Sequence, residues 1–111
     1  MRVILKGTEL ALTPDIKESV NQKLGGLSRF LKAFEGRGEL EMRVEIARTT
    51  RHHNRGSVFM AEANLRLPGK LLRATQIGSD ALVAIDGLRD KLRLEIEKHK
   101  TQLLRRKRSQ R

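Results

Sequence analysis

A chain of 111 residues suits a single domain with one modest core. Apolar residues make up 38 %, enough to fold, and the absence of cysteine excludes a disulfide framework and thiolate chemistry. Twenty-four Lys and Arg against thirteen Asp and Glu give +11, a surplus that favours a polyanionic partner over mere solvation or an anionic membrane surface.

Residues 2–8 (RVILKGT) hold three aliphatics in a row and predict a first strand. Thr13-Pro14-Asp15 then starts a helix. Thr13 can accept from a free N–H of the first turn, Pro14 needs no N–H there, and Asp15 suits the positive end of the dipole. Ile16, Val20, Leu24, Leu27, Leu31 and Phe34 follow at spacings of 4, 4, 3, 4 and 3, which places them on one helical face. Gly25-Gly26 weakens that helix and predicts a bend. Gly36 and Gly38 end it. Residues 39–48 alternate Leu40, Met42, Val44 and Ile46 with Glu39, Glu41, Arg43 and Glu45, a half-buried strand. Residues 58–67 alternate again, with Phe59, Ala61, Ala63, Leu65 and Leu67 inward. Pro68-Gly69 makes a tight turn, and residues 70–77 read as a fourth strand. The last helix is capped by Ser79 or Asp80. It carries an apolar stripe of Ala81, Ile85, Leu88, Leu92, Ile96 and Leu103. The predicted fold class is therefore α+β, in the order β-α-β-β-β-α. It is a four-stranded, mostly antiparallel sheet with two helices packed on one face.

Charge is distributed unevenly. Residues 98–111 hold seven basic residues and no acidic one, whereas the first 97 carry seventeen basic against thirteen acidic. On the second helix Arg89 and Arg93 are four apart and share a face. Lys91 and Lys98 are seven apart and also share one, and Lys100 extends the charge toward Arg105, Arg106, Lys107 and Arg108. These residues are the candidate RNA contacts, together with Arg51 and Arg55 in the RTTRHHNRG segment between the second and third strands. The outward positions of those strands include Glu41, Glu45 and Glu62, which repel phosphate. Trp and Tyr are absent, and Phe30, Phe34 and Phe59 fit core positions. Backbone and shape recognition is expected in place of base stacking.

Catalysis finds little support. No serine stands in a nucleophile elbow, Gly69-Lys70 lacks the upstream glycine of a phosphate loop, and His52-His53 lacks a third ligand by spacing. The chain is expected not to be an enzyme and to need no cofactor, metal or small-molecule substrate. Its first twelve residues are too short and polar for a signal peptide, and no apolar run approaches the roughly 20 residues of a membrane span, so it is expected to be soluble and cytoplasmic.

Three segments stand out: LTPDIKESVNQKL (Leu12 to Leu24) in the first helix, LRLPGKLLRA (Leu65 to Ala74) across the Pro68-Gly69 turn, and DALVAIDGLRDKL (Asp80 to Leu92) in the second helix. They resemble the first helix, the strand–turn–strand and the second helix of the short ribosome hibernation-promoting and ribosome-associated inhibitor family, also called the sigma-54 modulation family. The resemblance covers about residues 1–100 in the right order. It implies a stress-induced factor that sits on the small ribosomal subunit and its ribosomal RNA, near the decoding region, over the messenger and transfer RNA sites. Lys91, Lys98 and Lys100 match basic positions of the family's second helix. Leu94 and Glu95 depart from it where a basic residue and Gln are frequent, and Gly87 is unusual there. Long members add a C-terminal domain that pairs ribosomes; this chain reads as a short member or the N-terminal part of a longer one. Residues 1–104 are expected to form one ribosome-binding domain and 105–111 a flexible basic tail. The rival reading is a general structured-RNA-binding or ribosome assembly module.

Overall fold

The start of the first helix shows how local chemistry sets the chain path. In the computed structural model, which describes residues 1–50 and 57–109, the Ile16 N–H donates to Thr13 Oγ1 at 3.4 Å and Pro14 occupies the first turn. Helix α1 runs only over Pro14–Ser19. Past it the chain loosens into one wide π turn, Val20–Leu24, then tightens into 3₁₀ turns over Gly25–Phe30 and Lys32–Arg37. The expected single helix is thus short, and its irregularity begins five residues before Gly25. The apolar spacing survives the change of winding: Val20, Leu24, Leu27 and Leu31 are all at most 1 % exposed. Burial of that stripe, not helix propensity, holds the segment down.

Four strands follow the expected plan: β1 Arg2–Thr8, β2 Glu41–Thr50, β3 Ser57–Leu67 and β4 Lys70–Gly78. They lie in the order β1-β2-β3-β4. β1 runs parallel to β2, and the other two pairings are antiparallel. The parallel pair is what a crossover through α1 requires. Across the sheet Val3 stands beside Met42, Val44 beside Ala63, and Ala63 beside Ala74. Between β3 and β4, Pro68 and Gly69 form a two-residue turn in which Gly69 takes φ +70°, a value that costs glycine nothing.

Helix α2 covers Ala81–Ser109, and the Asp80 carboxylate accepts from the Val83 N–H at 2.9 Å to cap it. It packs mainly on β4 and β3, whose inward positions include the small Ala61, Ala63 and Ala74. Ile85, Leu88, Leu92 and Ile96 are fully buried against them. Gly87, unexpected in a helix, lies against the Gln76 side chain: a Cβ there would stand 2.6 Å from Gln76 Cγ, so a larger residue would require that side chain to shift. Burial along α2 stops at His99, and beyond it only Lys100 and Leu103 are partly covered among the described residues. A helix of 29 residues is about 43 Å long. Its last turns overhang the core, and the molecule measures 57 × 28 × 17 Å.

Candidate nucleic-acid interface

The candidate residues on α2 fall on two flanks. One flank faces the 3₁₀ turns. There the half-buried Phe30 presents its ring to three cations. Arg29 Cζ lies 4.7 Å from the centroid, Arg93 Cζ 4.9 Å and Lys100 Nζ 6.0 Å. A groove of about 260 Å³ beside this ring is lined by Lys23, Arg29 and Arg89 among others. A ring under a guanidinium holds it by its quadrupole while leaving the N–H groups free for an anion. Much of this flank is charge-matched, however. Arg93 pairs with Glu97 at 3.3 Å, Arg89 lies 4.0 Å from Asp90, and Lys23 pairs with Asp86.

The other flank faces β4. Lys91 Nζ donates to the Thr75 carbonyl at 2.8 Å, so its ammonium sits at the free edge of the sheet. Lys98 lies two turns further on the same side. Among the described residues no carboxylate comes within 4.0 Å of Lys91, Lys98 or Lys100, nor of Arg105, Arg106, Lys107 or Arg108. Lys100, grouped with Lys91 and Lys98 by the family resemblance, lies on the opposite flank from both.

Arg105 to Arg108 are exposed on the last turns of α2, which stays helical to Ser109. They project from the overhang as a helical extension of the basic surface. Arg51, Arg55, His52 and His53 lie outside the described residues. His99 is a packing residue: it is 8 % exposed and stacks on Phe34 with ring centroids 5.7 Å apart. Burial lowers its pKa, and the neighbouring charges of Lys70 and Arg106 lower it further. A neutral imidazole is thereby favoured under the α2 overhang.

The opposite face of the sheet has a different character. Arg2, Lys6, Arg43, Arg66 and Arg73 are interleaved there with Glu41, Glu45 and Glu62. Arg43 pairs with Glu41 at 3.2 Å and Arg73 with Glu62 at 3.5 Å, while Thr8 donates to Glu45. Phe59 points to the helix side, under Arg48. Phosphate would meet three carboxylates among the cations on this face, and on the far end of α2, from Lys98 to Arg108, cations alone.

Sequence reasoning passed over Arg29 and Lys23 and placed Phe30 in the core. The adjacency of Arg29 to Phe30 was the available signal. The approach of Arg93 and Lys100 to that ring comes only from the packing of α2 beside the 3₁₀ turns.

Among the described residues no helix is long and apolar enough to cross a membrane. Residues 3–104 match the family described as Sigma 54 modulation protein / S30EA ribosomal protein. The chain is 29 % identical over 103 residues to a ribosome hibernation promoting factor of Klebsiella oxytoca, covering 93 % of this chain and 97 % of that one. It is 28 % identical to a ribosome hibernation promotion factor of Deinococcus radiodurans, covering 91 % of this chain but half of that relative. The N-terminal domain of Thermus thermophilus Protein Y superposes with a TM-score of 0.72 at 28 % identity, over 89 % of this chain and 99 % of that one. A ribosomal subunit interface protein from Coxiella burnetii shares the fold, with a TM-score of 0.70 at 20 % identity over 91 % of this chain and 99 % of that one. A family match across nearly the whole described core, joined to the same β-α-β-β-β-α architecture, shows that the chain belongs to the Sigma 54 modulation protein / S30EA ribosomal protein family.

Proposed function

We propose that this protein is a ribosome hibernation factor. It binds ribosomal RNA of the small subunit near the decoding region and blocks translation by occluding the messenger and transfer RNA sites. The observation that carries this reading is the asymmetry of the molecule. Among the described residues seven cations without a carboxylate within 4.0 Å, Lys91, Lys98, Lys100 and Arg105 to Arg108, follow one another along α2 and its overhang, whereas on the outer sheet face Glu41, Glu45 and Glu62 stand among the cations and two of them pair with Arg43 and Arg73. The names of the relatives supply the ribosome and the hibernation role. The mechanism is steric and electrostatic. A rigid basic helix fixed to a packed core offers its charges in one geometry, so phosphates are met without the ordering cost of a flexible arm. No bond is made or broken.

Co-sedimentation with purified small subunits tests this. Binding should saturate near one protein per subunit, and log affinity should fall linearly with log salt as counterions are released. Initiator transfer RNA with its factors should relieve inhibition in proportion to concentration. Equal affinity for any RNA duplex would point instead to a general structured-RNA or ribosome assembly module. Substoichiometric, irreversible inhibition with new RNA ends would sink the occlusion mechanism.

A further inference from the structure

Past His99, α2 runs beside the Lys32–Arg37 turns, and a groove of about 290 Å³ lies between them. Phe34, Leu103 and Leu104 supply its apolar surface; Arg37, Lys100 and Lys107 stand on its rim. Leu104 is 55 % exposed, and the helix positions three and four residues to either side of it, Lys100, Thr101, Lys107 and Arg108, are charged or polar. None of the three rim cations has a carboxylate within 4.0 Å among the described residues. Apolar side chains and uncompensated positive charge thus converge on one small concavity.

Phosphate alone is a poor occupant. It would answer the cations but leave Leu104 in water. A stacked base would find no platform either, because Phe34 is 5 % exposed and one face of its ring is taken by His99. A second copy of this chain is disfavoured by the mutual repulsion of two molecules of charge +11. The volume lies just below the roughly 300 Å³ at which small-molecule sites begin, and so suits one or two side chains. We propose that this groove docks an acidic amphipathic segment of a partner protein. Its apolar side chains seat against Leu103 and Leu104, and its flanking carboxylates meet Arg37, Lys100 and Lys107. Helix-in-groove recognition needs this combination of an apolar floor for anchors and a charged rim for register. The inference does not depend on ribosome binding.

The test uses the full chain and a fluorescent synthetic peptide of about four helical turns, with leucines four apart and glutamates flanking them. Anisotropy should report saturable binding, and the methyl resonances of Leu103 and Leu104 should shift during titration. Leu104→Asn changes no charge and replaces an exposed side chain. It should weaken the peptide about fivefold or more while leaving affinity for ribosomal RNA unchanged. Arg37→Glu with Lys107→Glu, or lysines in place of the peptide's glutamates, should abolish peptide binding. The inference is overturned if Leu104→Asn leaves peptide affinity intact. It fails equally if the two methyl groups respond to an RNA hairpin and not to the peptide, or if the chain forms a dimer that Leu104→Asn dissociates.

Discussion

The two flanks of α2 carry the same sign of charge and hold it in opposite ways. On the Phe30 side the cations are braced. Arg29, Arg93 and Lys100 share one aromatic ring, and carboxylates at Asp86, Asp90 and Glu97 offset part of the field. On the β4 side Lys91 and Lys98 are sparse but uncompensated, and only a backbone carbonyl steadies Lys91. Bracing gives geometry at the cost of net charge; sparseness keeps the full charge but leaves the side chains to order on binding. Exposed ion pairs such as Arg93–Glu97 stabilise by only about 0.3–0.5 kcal/mol, so an arriving phosphate can displace the carboxylate. The flanks therefore suit complementary tasks, with β4-side lysines supplying attraction and the Phe30 side supplying register.

The largest expected effect is on the uncompensated side. Lys91→Glu with Lys98→Glu should lower affinity for the small subunit about 100-fold near physiological salt and displace the ribosomal RNA footprint. The folded state should be little affected, because both side chains are exposed and Lys91 gives up a single solvent-exposed hydrogen bond to Thr75. Co-sedimentation and footprinting decide it; a larger loss from Arg93→Glu with Lys100→Glu would make the Phe30 side the principal contact and reverse the division of labour.

Removing residues 105–111 comes next. Affinity should fall about tenfold and the salt slope should flatten by about 0.9 for each phosphate that is no longer neutralised, with the footprint unmoved. A footprint that shifts would mean that the helical overhang orients the domain as well as attracting RNA.

Phe30→Leu should act more gently. The cations remain but lose their shared ring, at about 0.5–1 kcal/mol for each exposed pair, so affinity should drop roughly threefold to tenfold. Titration of wild type and variant against the same subunits at several salt concentrations checks this. The slope should be unchanged, because no charge has been removed. A changed slope would show that the ring also controls how many cations engage.

The smallest effect concerns His99, where the overhang leaves the core. Its folded pKa is lowered by burial and by Lys70 and Arg106, so the unfolded chain takes up a proton that the folded one resists. The stability contributed by the neutral ring is complete above the ordinary value near 6.5 and is lost as pH falls below it toward the folded value. Urea unfolding at about pH 7.5 and about pH 5.5 should show this loss in the wild type and a smaller one in His99→Phe, which keeps the stack on Phe34 without a titrating group. Equal losses in both proteins would place the pH sensitivity elsewhere.

The alternation of Met42, Val44 and Ile46, and of Ala61, Ala63 and Leu65, was legible because strand side chains alternate faces whatever lies around them. The stripe from Ile85 to Ile96 was legible for the same reason at helical period. The first helix was read too regularly: apolar spacing reports which residues are buried, and an α-helix, a π turn and 3₁₀ turns can all bury the same ones. Phe30 was misplaced because a half-buried aromatic and a core aromatic look alike in a sequence; only the neighbouring helix decides which ring face stays open.

By itself, then, the sequence determined the element order, the inward faces, the Pro68-Gly69 turn, the positive charge and the family. All of these depend on local spacing and composition. The tertiary structure alone decided that Lys91 reaches the β4 edge while Lys100 reaches the Phe30 ring, that Arg29 joins Arg93 over that ring, that Gly87 lies against Gln76, and that the final basic run rides on a helix. Each of these joins residues far apart in the chain, or depends on how far a helix outruns its core, and such distances are set by packing and not by neighbours in sequence.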